Sequence, residues 1–175
     1  MSHWNTRGLR GRAFEELINM TNQLYLHHGL AVIQKVPTPI TPIEVSNRER
    51  IITKAYFGEK STVDYIGVVQ SIAICFDAKE TQSKNLPLRN IHDHQLAFMN
   101  AFTQQEGMAF LLVNFKATNE VFFLPCEHIK KYYDDAKNGG RKSIPYTDFD
   151  KKYLVRNEGG FPVHYLEALN TYLMN

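Results

Sequence analysis

Long apolar runs are missing from this 175-residue chain: no stretch approaches the roughly 20 residues that a membrane helix needs. No signal-peptide pattern opens it, so the expectation is a cytoplasmic protein that meets no membrane. Cysteine is scarce. Cys75 and Cys126 both sit in apolar contexts and read as buried free thiols of a reducing compartment, with a disulfide as the alternative. No Cys-x-x-Cys and no paired Cys/His spacing exists, which argues against zinc. A strong charge of one sign is also lacking, and a net +2 does not by itself call for a nucleic-acid partner. Internal repeats and low-complexity segments are absent. At this length one domain spanning 1–175 is expected, with 43% hydrophobic residues to build its core.

The charge that is present is clustered. Arg7, Arg10 and Arg12 open the chain with no acid among the first 12 residues, and Lys137, Arg141 and Lys142 surround Gly139-Gly140. Such clusters suit a phosphate backbone, although each is equally a solvated face. In chain order, Phe14, Leu17, Ile18, Leu24 and Tyr25 mark one side of a helix over 11–28, ended by Gly29, and 30–36 reads as a strand. Pro37, Pro39 and Pro42 then forbid helix and stiffen the segment. With the apolar 51–57 run they predict a protruding hairpin over 37–57 with its tip near 46–50, made basic by Arg48, Arg50 and Lys54; an ordinary long loop with an edge hairpin is the alternative. Further on, helices are expected at 90–105, 126–136 and 162–173, with strands at 108–115 and 120–124. Strands in the middle and helices on both sides predict an α/β domain, a mixed sheet flanked by helices.

The informative stretch is Ser61 to Thr81, two apolar strands interrupted by Asp64, Asp77 and Lys79. Strand interiors rarely keep such charges unless they are paired or hold a metal. Asp77 and Lys79 are two apart and share a face, and Asp64 can lie beside them if the strands pair. Two carboxylates about 4 Å apart repel by roughly 4 kcal/mol at an effective dielectric near 20, a cost that a divalent cation reverses. All-oxygen ligands favour Mg²⁺ or Mn²⁺. Lys79 suits a water or phosphate oxygen rather than the cation. An isolated Asp-x-Lys, by contrast, would be an edge-strand ion pair. Gly140-Arg141-Lys142-Ser143 lacks the first glycine of a phosphate-binding loop.

Asp64 with Asp77-Ala78-Lys79 resembles the PD-(D/E)XK nuclease signature. Its surroundings make the likeness specific: Ser61 to Gly67, Phe76 to Thr81, Leu86-Pro87-Leu88, Asn90 to Gln95, and Lys137 to Ile144, together with Pro37-Thr38-Pro39 and Ala55-Tyr56-Phe57, resemble the RecU Holliday junction resolvases over nearly the whole chain. The resemblance implies a restriction-endonuclease-like core with a protruding stalk at 37–57. It implies a homodimer that cuts branched DNA, the four-way Holliday junction, by paired nicks, serving recombination and repair beside a recombinase and a branch-migration motor. Asp64, Asp77 and the Ala78 carbonyl would hold Mg²⁺ or Mn²⁺, Lys79 would orient the attacking water, and Glu15 would complete the acidic cluster. Arg7, Arg10, Arg12, Arg48, Arg50, Lys54, Gln95, Arg141 and Lys142 would face DNA, Gln95 also lying beside the site. The chain has Asp77 where the family usually has Glu, and Val63 where it commonly has Thr. The runner-up functions are a related nuclease acting on other DNA structures and a DNA-binding modulator without activity. His92 and His94, placed on a helix, would point their rings to different sides.

Overall fold

The computed structural model describes residues 12–58 and 62–174. Helix α1, Arg12–His27, buries Phe14, Ile18 and Tyr25 at helical spacing. Leu17, expected on that face, points outward at 42% exposure, because the buried stripe is narrower than the apolar one. Gly29, at φ +66°, ends the segment in the left-handed conformation that glycine adopts freely.

A six-stranded sheet carries the domain, in the order β1 (Val32–Lys35), β4 (Tyr65–Val69), β5 (Ile72–Thr81), β7 (Met108–Phe115), β8 (Glu120–Pro125) and β10 (Leu154–Val155). Only β5 and β7 pair in parallel, and the crossover between them is made by α2 (Asp93–Gln104). Gln70 and Ser71, both at positive φ, form the tight turn joining β4 to β5. Gly67 lets β1 approach β4, since a Cβ there would sit 2.3 Å from the Val32 carbonyl oxygen. β1 and β10 are shorter than the central strands; β1 is mostly exposed at its edge, while β10 keeps Val155 buried.

Each face of the sheet carries its own core. Helices α1 and α4 (Tyr165–Leu173) cover one face, burying Tyr65, Phe76, Phe110 and Phe123. Helices α2 and α3 (Cys126–Lys137) cover the other, with Cys75, Leu111, Val113 and Phe122. The rings of Tyr65, Phe76, Phe110 and Phe123 pack across four strands at successive centroid distances of 4.7, 4.9 and 4.4 Å. Such cross-strand aromatic contacts fix register, and a slip of one residue would turn every side chain to the opposite face. Both cysteines are free. Cys75 lies on β5 and Cys126 follows β8, with β7 between them. Two strand spacings of about 4.8 Å exceed a disulfide's reach.

The 37–57 segment forms the hairpin β2 (Ile40–Ser46) and β3 (Ile51–Phe57), a two-stranded sheet of its own whose residues are almost all exposed. The Val36 N–H donates to the Asp64 carbonyl at 2.8 Å, so the hairpin leaves the domain beside the acidic stretch. A second small sheet pairs β6 (Asn85–Pro87) with β9 (Ser143–Pro145). It is a clamp that brings the end of the Gly-Gly-Arg-Lys segment against the start of α2.

Candidate active site

The aromatic ladder sets the geometry of the acids. Tyr65 pairs with Phe76 in the β4–β5 register, so Asp64 lies one step along, opposite Asp77. With Phe76 turned to the α1 face, Asp77 points to the α2 face, where it is fully buried. Its Oδ1 accepts a hydrogen bond from Gln95 Nε2 at 2.7 Å. Its Oδ2 accepts none: Lys79 Nζ lies 2.5 Å away as an ion pair without hydrogen-bond direction. Asp64 Oδ2 accepts the Ala78 N–H at 3.0 Å. Burial, and then the negative charge of Asp77, push the Asp64 carboxyl up to about 6, against the Ala78 N–H and Lys79, which pull it down.

Gln95 closes the arrangement. Its Oε1 accepts from Lys79 Nζ at 3.1 Å and from the His92 N–H at 3.2 Å, while its Nε2 holds Asp77. The His92 contact is half of a reciprocal cap, in which the Gln95 N–H donates to the His92 carbonyl at 3.0 Å. The glutamine that caps α2 thus also sets the relative positions of acid and lysine. Expected both beside the site and on DNA, Gln95 is buried with both amide ends committed. The cap also starts α2 at Asp93 rather than at residue 90. His92 precedes the helix with extended backbone, so its ring stacks on that of His94 at 5.4 Å and 9° instead of pointing away from it.

Glu15 lies on α1, across the sheet from Gln95. Its carboxylate pairs with Lys35 at 2.5 Å, and its carbonyl accepts from the Tyr65 hydroxyl at 3.4 Å. Lys35, at the end of an edge strand, was not singled out from the sequence, and nothing in the spacing of two residues 20 apart signals the pair. Among the described residues no group of three or more His, Cys, Asp or Glu is gathered to hold a metal. The fit of a hard divalent cation therefore rests on two facing carboxylates, one of them fully buried with the Lys79 ammonium 2.5 Å from its Oδ2, with water and substrate phosphate for the remaining ligands. This suits Mg²⁺, which keeps several waters and is commonly held by one or two carboxylates plus substrate phosphate.

Residues 9–171 match the family described as Recombination protein U. The chain belongs to the RecU family. It is 42% identical over 167 residues to the Holliday junction resolvase RecU of Oenococcus oeni, covering 93% of this chain and 85% of that protein. It is likewise 42% identical over 168 residues to the Holliday junction resolvase RecU of Lactococcus lactis, covering 93% and 78%. Among solved structures, Hjc, a Holliday junction resolvase of the archaeal hyperthermophile Archaeoglobus fulgidus, aligns at TM-score 0.40 and 11% identity, covering 67% of this chain and 74% of that one.

In this RecU chain the expected DNA-facing cations fall into separate places. Arg48 and Arg50 are exposed at the hairpin tip, and Lys54 on β3 stands 3.9 Å from Glu44 in an exposed pair. Arg141 and Lys142 are exposed after α3, and the Lys142 carbonyl accepts from the Leu88 N–H at 3.0 Å, which ties them beside α2. Arg7 and Arg10 lie outside the described residues, and of Arg12 only the backbone, at the start of α1, is described. Val63 is buried in the α2-side core. Arg89 is exposed in the turn before α2 and escaped the sequence reading, because no other Lys or Arg lies within four residues to form a cluster with it. No helix among the described residues is long and apolar enough to cross a membrane.

Proposed function

We propose that this chain is a Holliday junction resolvase, an endodeoxyribonuclease that requires Mg²⁺ or Mn²⁺ and nicks two strands of a four-way junction as a homodimer. The observation that carries the reading is the buried Asp77, opposite Asp64 and beside Lys79, in a chain of the RecU family. Asp64, Asp77 and the Ala78 carbonyl would hold the cation. When bound, it neutralises the acids and the phosphate charge and eases ionisation of the attacking water. Lys79 stands where its ammonium can hold that water or a phosphate oxygen, and Gln95 fixes the ammonium's direction. Water attacks phosphorus in line with the departing 3′-oxygen; the P–O3′ bond breaks, leaving a 5′-phosphate and a 3′-hydroxyl. The Pro-rich hairpin would enter the centre of the junction, and Arg48, Arg50 and Lys54 would meet phosphates there. A two-fold dimer presents one site to each of two strands.

The test is cleavage of a mobile four-way junction against linear duplex, with and without cation. Asp77→Asn is expected to abolish cutting while junction binding survives. Normal cutting by Asp77→Asn would mean that the acids are assigned wrongly. Equal cutting of duplex would favour a general nuclease, and binding without cutting a DNA-binding modulator.

A further inference from the structure

Beside the site, on the α2–α3 side, lies an open groove of about 610 Å³. Its walls are apolar: Leu88, Ile91, Ala136 and the ring of Tyr133. The Tyr133 hydroxyl donates to the Leu88 carbonyl at 2.9 Å and also to the Ile91 carbonyl, so the ring is held in place before anything binds. The rim is basic. Arg89 and Lys142 are exposed there, on segments held together by the Leu88–Lys142 backbone hydrogen bond. The groove is also wired to the acids: its lining residue His92 donates its N–H to Gln95, which holds both Asp77 and Lys79.

We propose that this groove receives one unstacked nucleotide of the DNA strand being cut, its base against Tyr133 and its flanking phosphates on Arg89 and Lys142. This rests on the nuclease reading and adds a subsite to it. The volume falls within the roughly 300–1,000 Å³ of small-molecule sites, large enough for a nucleotide. Charge selects the occupant. A neutral apolar ligand would leave the rim cations unanswered, and a free phosphate would leave the apolar walls wet. A nucleotide in a strand answers both, with a flat face for the ring and a phosphate on either side. Lys137, also on the rim, is partly answered by Asp134 at 3.8 Å, an exposed pair of little strength. A fixed tyrosine ring loses no rotamer freedom on stacking, which favours it over a mobile side chain. Bases near a junction's crossing point, where stacking is interrupted, cost least to extrude.

The experiment uses the full chain with EDTA, so that DNA is bound and not cut. Four-way junctions carrying 5-iodouracil at successive positions around the crossover are irradiated, and cross-linked peptides are mapped by mass spectrometry, with binding followed by anisotropy. One position is expected to cross-link to Tyr133. Ala136→Phe, which fills the groove, is expected to lose that cross-link while still binding the junction. Arg89→Ala, an exposed change that spares the core, is expected to lower the slope of log affinity against log salt by about 0.9, the loss of one phosphate contact. A bound junction with no cross-link to Tyr133 from any position overturns the subsite. So does a Tyr133 cross-link that survives in folded Ala136→Phe, or an unchanged salt slope in Arg89→Ala. Failure of the wild-type chain to bind junctions at all overturns the nuclease reading and the subsite with it.

Discussion

Asp64 is a charge that the fold holds at a cost. A carboxyl raised from 3.8 to about 6 by burial and by a like charge destabilises the folded chain wherever it is ionised. The sign is opposite to that of a salt-bridged aspartate. The cost is full above about pH 6 and fades as pH falls toward 3.8, where folded and unfolded chains both hold the proton. Asp64→Asn should therefore stabilise the cation-free protein by about 3 kcal/mol at pH 8 and about half that at pH 5. Thermal melts at the two pH values measure it, and a loss of stability at pH 8 would contradict it. The same repulsion should make cation binding visible without any DNA. Mg²⁺ or Mn²⁺ at 100 times its dissociation constant should add about 2.7 kcal/mol to the wild-type chain. Chelation should reverse the gain, and Asp77→Asn should show little of it. An equal rise in melting temperature for both proteins would point to a cation bound elsewhere.

At the level of elements, the hairpin β2–β3 stands apart from the core. Phe57 is 81% exposed, Ile43 and Val45 more than half exposed, and neither hydrophobic cluster includes a hairpin residue. A lone two-stranded hairpin is marginal in water, so its proline stiffening and its place on the domain carry it. Replacing 37–58 by a short Gly/Ser link should leave the melting temperature nearly unchanged, because the chain leaves and returns beside the Val36–Asp64 hydrogen bond. The preference for four-way junctions over linear duplex should collapse in competition binding. Unfolding of the deletion variant would instead make the hairpin structural. By contrast α2 is bound to the site at one residue. Gln95 at once accepts the His92 N–H at the helix N-cap, donates to Asp77 and accepts from Lys79, so movement of that helix end moves the chemistry.

For the whole molecule, apolar side chains outside the hairpin also stand exposed among the described residues. Leu17 and Met20 lie outward on α1, and Val32 and Val68, paired across β1 and β4, are 64% and 48% exposed. Such residues would suit a second copy of the chain, as the proposed two-fold arrangement requires. Light scattering should give twice the mass of one chain. Dilution below the dimer dissociation constant should turn paired nicks into single ones. A monomer that still makes paired nicks would remove the dimer from the mechanism.

The mixed α/β character, the projecting Pro-rich segment and the grouping of Asp64, Asp77 and Lys79 were legible in the residues, because each depends on local period, on backbone restriction or on charge in an apolar strand. What faces what was not. Whether Asp64 stands opposite Asp77 depends on a register fixed by Tyr65, Phe76, Phe110 and Phe123 packing across four strands. The ion pair of Glu15 with Lys35, the stacking of His92 on His94 and the three contacts of Gln95 join residues whose spacing carries no sign of them. The separation of the cysteines and the basic-rimmed groove at Tyr133 likewise arise from strand order and from the β6–β9 clamp. Local chemistry is written along the chain; the distances that turn it into a site are set by long-range packing.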